Sequence, residues 1–177
     1  MCVYSMNKGI WTLFMYIEIL LPDDAKEITE MSQMATAILR EHYDPIIGKE
    51  QNDYMLNMFQ TEDAIRDQLA HGYRYYFVRE GDKDLGFLAF YPKENCLYLS
   101  KLYLYKDQRG KGFSRQILEM LKTQAKELGL NRIELNVNRN NPSVAIYESL
   151  GFAVAREEKN DIGNGFYMDD YVYAIEF

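Results

Sequence analysis

The loop at residues 108–114 is the first part of the sequence whose residue types could do chemistry. It reads Gln-Arg-Gly-Lys-Gly-Phe-Ser and joins a predicted strand to a predicted helix. Successive backbone N–H groups at the start of a helix attract an anion, and glycines let a phosphate group approach the backbone closely. The spacing differs from the P-loop pattern G-x-x-x-x-G-K-[ST]. The loop therefore predicts either a phosphate site of another kind or a tight structural turn.

Tyr147 lies in a second segment, residues 138–152, which reads Asn-Arg-Asn-Asn-Pro-Ser-Val-Ala-Ile-Tyr-Glu-Ser-Leu-Gly-Phe. A phenol held beside a thiolate, whose conjugate thiol has an ordinary pKa of about 8.5, can protonate it and so prevent the reverse attack. The alternative is a structural aromatic residue that packs beside Ile146 and Leu150. Taken by itself, the tyrosine favours the structural interpretation.

Together, the two segments resemble the GCN5-related N-acetyltransferase (GNAT) family over roughly residues 15–177. The family's phosphate-binding pattern is R-x-x-G-x-G/A, and a later pattern is N-x-x-A/S-x-x-x-Y, followed by L-G-F. The matching residues are Arg109, Gly112 and Ser114 in the first pattern, Asn140, Ser143 and Tyr147 in the second, and Leu150 to Phe152 at the end. Serine at position 114 replaces the usual glycine or alanine, but it is small enough to leave the site intact.

The resemblance implies that acetyl-coenzyme A (acetyl-CoA) is the co-substrate and that Tyr147 gives a proton to the departing thiolate. The backbone amides of the loop would cradle the pyrophosphate, and the pantetheine arm would lie along the edge of the strand before the loop. The implied cofactor-binding residues are Leu102, Tyr103, Leu104, Arg109, Gly110, Lys111, Gly112, Phe113, Ser114, Asn140 and Ser143. No metal is implied.

The implied reaction is direct attack of a neutral amine on the thioester. A free primary amine has a pKa of about 10.4, so some group must take a proton from it at neutral pH. Many relatives have a glutamate before the strand segment that carries the pantetheine, whereas this chain has Ser100-Lys101 there. No base is predicted at that position; Glu134, nearby tyrosines acting through a water, or a water chain remain open.

The acceptor amine is predicted to bind between the first two helices, their connecting loop and the C-terminal hairpin. The candidate residues there are His42, Tyr43, Tyr54, Tyr75, Tyr76, Asp169 and Asp170. Residues 41–48, 51–55 and 161–171 resemble a bacterial subset of the family that includes spermine/spermidine acetyltransferases. A polyamine such as spermidine would suit an acidic, tyrosine-lined cleft, because rings and carboxylates attract ammonium groups.

Three other functions are weighed against a small-amine acetyltransferase. A protein or peptide N-acetyltransferase would need an open groove rather than a closed pocket. A non-catalytic acyl-CoA-binding sensor would keep the phosphate loop without transferring the acetyl group. An interaction module would bind no acetyl-CoA.

The composition is that of one soluble domain. The chain has 177 residues and a formal net charge of -7, which argues against a nucleic-acid partner because phosphate binding needs a basic face. Cys2 and Cys96 match neither a metal-ligand spacing nor a redox pair, and unpaired cysteines suit the reducing cytoplasm. The apolar run 10–21 is interrupted by Glu18 and is too short to span a membrane, so no membrane partner is predicted. Residues 1–14 are interpreted as a leader without fixed structure and 15–177 as a single domain.

The pattern of elements predicts an α/β (α+β) fold, with a mixed, mostly antiparallel seven-stranded sheet flanked by helices, as in the GNAT (acyl-CoA N-acyltransferase) fold. The predicted strands cover residues 15–20, 75–79, 85–91, 97–105 and 133–137, and two more surround a turn at 161–165. The predicted helices cover residues 24–42, 54–59, 61–69, about 113–128 and 141–150. Asp44-Pro45 is expected to end the first helix, with a loop at 45–52. The aromatic last strand, 167–177, is compatible with a homodimer.

Overall fold

The computed structural model describes residues 14–177; Cys2 and all but the last residue of the predicted leader lie outside this range. The strands are β1 (Met15–Ile19), β2 (Arg74–Glu80), β3 (Lys83–Pro92), β4 (Leu97–Leu104), β5 (Arg132–Asn138), β6 (Ala153–Gly163) and β7 (Phe166–Glu176). The helices are α1 (Ala25–Ile47), α2 (Lys49–Phe59), α3 (Glu62–Ala70), α4 (Phe113–Glu127) and α5 (Val144–Ser149). None of these helices is long and apolar enough to cross a membrane.

The strands form one sheet in the order β1-β2-β3-β4-β5-β7-β6. All neighbours are antiparallel except β4 and β5, which are parallel and pair only through Leu97 with Ile133 and Tyr98 with Glu134. β5 pairs with β7 along its whole length, so the sheet opens between β4 and β5 beyond Tyr98. The predicted fold class is therefore confirmed. The aromatic strand β7 lies between β5 and β6, so its apolar residues already have neighbours within the sheet.

A β-bulge at Ser100 changes which side chains of β4 face which side of the sheet. Lys101 pairs with Ala89 of β3 and Leu99 pairs with Phe90, which leaves Ser100 as the extra residue. Leu99 before the bulge and Leu102 after it pack into the core on the α4 side. An uninterrupted strand would place residues of opposite parity on opposite faces, so the bulge turns Lys101 to the face that carries α1 and α3.

Each face of the sheet has its own apolar core. On one face α4 buries Ile117, Leu118, Leu121 and Ala125, which recur at helical spacing. On the other face, α1 buries an apolar stripe at helical spacing, which packs with Leu56 of α2 and Ile65 of α3. The opened edge of β4 therefore lies between the two cores.

The predicted end of the first helix was wrong, and so was the predicted loop at 45–52. α1 continues through Pro45 to Ile47, and α2 begins at Lys49. A proline removes one backbone hydrogen bond, but the N–H of Gly48 still donates to the Asp44 carbonyl at 3.1 Å and closes the last turn. The buried Asn52 side chain donates to the Leu39 carbonyl and to Asp44, so it ties the two helices together. This tertiary contact outweighs the local signal.

Candidate active site

The opening between β4 and β5 forms a cleft of about 280 Å³, which we call the cofactor cleft. Its walls come from β4, β5, the start of α4 and α5. Every residue of the predicted cofactor set lines it except Lys111 and Asn140, and so does Tyr147. Two segments that lie some thirty residues apart in the chain are therefore brought to one cavity by the splayed strands.

The start of α4 offers an anion site at one end of the cofactor cleft. Gly110 and Gly112 have φ values of 75° and 83°, and a Cβ built on either would meet no atom within 4 Å. Gly112 caps the helix without a side-chain hydrogen bond, so the first N–H groups of α4 point towards open space. Arg115 adds a positive charge to the lining. A pyrophosphate could be held here by backbone groups and the helix dipole.

Lys111 and Asn140 lie outside the lining of the cofactor cleft. The Lys111 ammonium donates to the Gln108 side chain at 3.0 Å, and Lys111 does not line the cavity. The Asn140 side chain is exposed, and its backbone N–H donates to Asn138 at 3.0 Å.

The Arg109 side chain extends from the loop towards β4 and α1. Its Nε donates to the Leu104 carbonyl at 3.0 Å, and its Nη1 lies 3.4 Å from Nδ1 of His42. Burial, with the Arg109 charge second, lowers the pKa of His42 and keeps the ring neutral at pH 7. The guanidinium therefore ties the loop to the end of β4 and to α1.

Asn141 is a cleft residue that the sequence motifs did not identify. Its side chain is buried, lies 3.2 Å from Nε2 of His42, and donates to the Tyr43 hydroxyl at 3.3 Å. Its Oδ1 also accepts from the N–H of Ser143 at 2.9 Å, in the turn before α5. The available signal was its position at the start of the predicted helix 141–150, where an asparagine side chain often bonds to the backbone and is thereby fixed in direction; the structure places the start of α5 at Val144.

Tyr147 projects from α5 into the cofactor cleft and is half-buried. Burial, with Tyr43 second, raises the pKa of its phenol well above the ordinary value, so it stays protonated at neutral pH. Its ring packs edge-on against Phe152 at 5.7 Å, while its hydroxyl makes no hydrogen bond to any side chain or backbone group within residues 14–177. The proton is thus available to a group bound in the cleft.

A second cavity of about 410 Å³, the acceptor cavity, opens on the α1–α3 face of the sheet. Tyr43, Ser100, Tyr103 and Asn136 line both cavities, so the two meet at the bulge of β4. The hydroxyls of Tyr43 and Tyr103 lie 3.3 Å apart at this junction. A molecule in one cavity can therefore reach a molecule in the other.

The β6–β7 hairpin closes one side of the acceptor cavity against α2. Gln51 donates to the Tyr167 carbonyl at 2.8 Å, and the Tyr54 hydroxyl donates to the Ile162 carbonyl at 2.8 Å. Gly163 passes so close that an added Cβ would lie 2.8 Å from the Tyr54 hydroxyl. The acceptor side is therefore bridged, which differs from an open peptide groove.

Comparison with known proteins identifies the family. Residues 43–169 match the model of the acetyltransferase (GNAT) domain. The chain belongs to the GNAT family. Its curated relatives include the peptidyl-lysine N-acetyltransferase YjaB of Escherichia coli, 27% identical over 126 residues, which are 70% of this chain and 80% of that protein.

Solved structures agree on the GNAT fold. The PaiA N-acetyltransferase of Thermoplasma acidophilum, in complex with coenzyme A, aligns with a TM-score of 0.75 at 17% identity, over 93% of this chain and 100% of that one. The spermidine/spermine N-acetyltransferase SpeG of Vibrio cholerae aligns with a TM-score of 0.62 at 16% identity, over 92% of each chain. This GNAT protein is an acetyl-CoA-dependent N-acetyltransferase.

Most of the predicted acceptor residues of this GNAT chain are engaged elsewhere. Tyr43 and Asp170 line the acceptor cavity, whereas His42 lines the cofactor cleft. Tyr76 stacks on Phe90 within the α4-side core. The others make structural hydrogen bonds: Tyr54 to Ile162, Tyr75 to Gln68, and Asp169 to Arg139.

Glu134 lies outside both cavities, although it remained open as a base. Arg132 and Arg156 pair with its carboxylate at 2.8 and 3.1 Å. Burial acts to raise the pKa of Glu134, but the two guanidinium groups outweigh it and hold the pKa below its usual value. Its position and its pairing are those of a structural carboxylate.

Two buried ionisable side chains in the acceptor cavity have no partner of opposite charge within 4 Å among residues 14–177. Asp170 is 3% exposed, and its one hydrogen bond is from Asn136 at 3.4 Å. Burial raises the pKa of the Asp170 carboxyl above its usual range. Lys101 is 6% exposed and donates to Gln68 at 2.7 Å. In the same described residues, no group of three His, Cys, Asp or Glu side chains could hold a metal ion.

Proposed function

We propose that this protein transfers the acetyl group of acetyl-CoA to a primary amine by direct attack, with the two reactants in the two cavities. The observation that carries the proposal is the junction of the cavities at the Ser100 bulge. A thioester at the end of the cofactor cleft and an amine at the end of the acceptor cavity would meet there. Holding both reactants in contact removes much of the entropic barrier of a bimolecular step.

Coenzyme A is proposed to bind through backbone groups for most of its length. The N–H groups at the start of α4 would hold the pyrophosphate, with Ser143 on the opposite wall. The pantetheine amides would pair with the edge of Leu102–Leu104, which β5 leaves unpaired beyond Tyr98. A backbone N–H on this edge would also stabilise the developing oxyanion.

Tyr147 is proposed to protonate the departing thiolate. Its protonated state at neutral pH and its free hydroxyl within the cleft support this role. The burial that raises the pKa of the phenol disfavours the thiolate beside it as well, because desolvation penalises either anion. The two groups therefore stay close enough in acidity for the transfer.

A small polyamine such as spermidine is the proposed acceptor. Asp67 and Asp170 line the acceptor cavity together with several tyrosines, and the whole chain carries a net charge of -7. Asp170 is buried without a cation partner among residues 14–177, and such a carboxylate favours an incoming ammonium group. The bridge between α2 and the hairpin supports a small molecule over a long peptide.

Peptidyl-lysine is the second candidate acceptor. The curated relatives carry that name, and their 27% and 25% identities extend over about 70% of this chain. A lysine side chain is a primary amine that could enter the same cavity from a surface segment. Turnover with the two kinds of acceptor separates the candidates.

Thiol release from acetyl-CoA tests the proposal. We expect release that depends on spermidine, with a KM that rises at least tenfold in Asp170→Asn, since the variant removes the buried negative charge. Glu176→Gln, an exposed carboxylate on the same strand, is the matched control. Release that depends on lysine peptides and not on spermidine would favour the second candidate, and no release with any amine would contradict acetyl transfer to amines.

A further inference from the structure

The side chain of Lys101 is placed in the wall of the acceptor cavity without any counter-ion. It is 6% exposed, its Nζ donates to Oε1 of Gln68 at 2.7 Å, and the Ser100 hydroxyl lies 3.5 Å away. No carboxylate of residues 14–177 lies within 4 Å of this nitrogen. A buried lysine in such surroundings favours its neutral form, because burial penalises the charge and nothing compensates it.

The groups around Lys101 stabilise its charged form only weakly. The rings of Tyr73 and Tyr75 lie 5.3 and 5.2 Å from Nζ, and the Tyr75 hydroxyl donates to the same Gln68 oxygen. The face of an aromatic ring attracts a cation more weakly than a carboxylate does. The Gln68 oxygen accepts both bonds through its two lone pairs, but a neutral amide does not offset the charge of an ammonium group as a carboxylate would.

The acceptor cavity that Lys101 lines also contains titratable groups from several other elements. The phenols are those of Tyr43, Tyr73, Tyr91, Tyr98 and Tyr103, and the carboxyls are those of Asp67 and Asp170. Burial raises the pKa of the Tyr43, Tyr91, Tyr98 and Tyr103 phenols, so these four are neutral at pH 7. Asp67 pairs with His71 at 3.3 Å on the exposed side of α3. Asp170 lies on β7 and accepts a hydrogen bond from Asn136. It is therefore a second candidate for the base that takes the amine proton.

The position of Lys101 relative to the reacting atoms follows from the bulge. Its neighbour Ser100 lines both cavities, and the extra residue turns Lys101 into the acceptor cavity instead of the α4-side core. A nitrogen next to the junction is within reach of an amine that waits there to attack the thioester. General-base catalysis requires this kind of proximity before any question of acidity.

We propose that Lys101, as a neutral amine, is the general base that takes a proton from the ammonium group of the acceptor. This inference rests on the proposed function. One proton passes from the acceptor nitrogen to Nζ, and the freed lone pair attacks the thioester carbon. The C–S bond then breaks, the thiolate takes the proton of Tyr147, and the second nitrogen proton replaces it on the phenolate. Lys101 returns its proton to solvent when the products leave.

The acidity of Lys101 suits this role. Burial lowers its pKa from 10.5 to about 7, near the pH at which the enzyme would work. A base with a pKa near the working pH combines a large deprotonated fraction with good proton affinity. An ordinary surface lysine, protonated below pH 10, could not act in this way.

The pH dependence of kcat/KM in Lys101→Met tests the proposal against a structural role. Methionine keeps the unbranched shape and removes the amine. We expect the wild type to rise to a plateau above about pH 7, while the variant gains tenfold per pH unit up to the acceptor's pKa of about 10. The loss is then about a thousandfold at pH 7 and almost none at pH 10. A ratio of the two rates that is the same at every pH would overturn the proposal.

Gln68→Glu is a second variant that keeps the lysine and the local shape. A carboxylate beside Nζ raises the pKa of Lys101, so the acid limb of the wild-type profile should move up by at least one pH unit. An unmoved limb would overturn the proposal. Asp170→Asn is the matched comparison: we expect a higher KM with the same acid limb. If this variant, and not Lys101→Met, shows the tenfold-per-unit profile, Asp170 is the base and Lys101 is not.

Nuclear magnetic resonance of lysine labelled with ¹³C and ¹⁵N measures the same group without turnover. We expect one Nζ–Cε signal that titrates near pH 7 and disappears in Lys101→Arg, while the other lysines titrate near pH 10. Titration of that signal above pH 9 would overturn the proposal. If no amine is acetylated, the proposed function fails; the titration then still decides whether Lys101 can be neutral.

Discussion

The cofactor cleft and the acceptor cavity meet at one β-bulge, yet they are built in opposite ways. The cofactor cleft takes most of its lining from three short segments, 99–104, 109–115 and 141–150, and the rest from the end of α1 and from β5. The acceptor cavity uses side chains from α1, α2, α3, β3, β4, β5 and β7, together with Tyr73 just before β2. A backbone site survives wide variation of side chains, whereas a side-chain site changes with each of its contributors. Within one GNAT fold, cofactor binding can thus stay constant while the acceptor changes.

Replacing Tyr147 with phenylalanine should have the largest effect on activity. Loss of a general acid costs typically about 10²- to 10⁴-fold in rate, and the ring that packs on Phe152 is kept. We expect kcat to fall by this factor, with acetyl-CoA affinity unchanged by calorimetry. Tyr76→Phe, a stacked tyrosine outside both cavities, is the control. An equal fall in cofactor affinity would mean that Tyr147 serves binding instead.

The Lys101→Met variant should be more stable than the wild type at pH 7. The folded-state pKa of about 7 lies below the unfolded value of 10.5, so the unfolded chain binds more protons between these pH values. Wild-type stability therefore rises as pH increases from 7 to 10.5, and the full penalty is present below pH 7. At about 1.4 kcal/mol per pH unit, the variant gains up to roughly 4 kcal/mol at pH 7.

Urea unfolding at pH 7 and pH 10 measures this stability difference. The advantage of Lys101→Met should shrink towards zero at the higher pH, while an exposed lysine such as Lys26 changed to Met should show no such trend. Equal gains at the two pH values would contradict a neutral Lys101. A more stable but less active variant would show that the buried amine of Lys101 lowers stability while it supports activity.

Gly112→Ala and Gly129→Ala form a matched pair at the two ends of α4. Both glycines have positive φ, 83° and 74°, and a Cβ on either meets no atom within 4 Å. Each variant should lose about 1 kcal/mol of stability, because alanine is strained in the left-handed region. Gly112→Ala alone should weaken acetyl-CoA binding, by tenfold or more, since its methyl group fills the space proposed for the phosphate. Equal calorimetric affinities would contradict the anion site.

Tyr54→Phe should have the smallest effect. It removes the hydrogen bond from α2 to the Ile162 carbonyl, worth about 1 kcal/mol. We expect a modest rise in the acceptor KM, about two- to fivefold, with kcat and cofactor affinity unchanged. Steady-state kinetics with both substrates varied measures this split. A change in cofactor affinity would show that the two regions are coupled through the hairpin.

The sequence predicted most of the elements and most of the cleft lining. The order of the seven predicted strands and five predicted helices, together with the resemblance to the GNAT family, predicted the seven-stranded sheet. The end of α1 was missed because Pro45 is a strong local signal, and Asn52 overrides it only through a contact between two helices. Lys111 and Asn140 matched positions in or beside the motifs, but neither lines the cofactor cleft: Lys111 donates to Gln108, and Asn140 is exposed.

The sequence by itself indicated an anion site at the start of α4, because a helix start after two glycines presents its backbone groups wherever that local conformation forms. Through the resemblance to the GNAT family, it also predicted that Tyr147 is the proton donor. Only the tertiary structure decided the acceptor side. The direction of Lys101 depends on one extra residue in β4, and its acidity depends on burial by α3 and β2, which are distant in the chain. A side chain's charge state is a property of its surroundings, and the surroundings exist only in the folded protein.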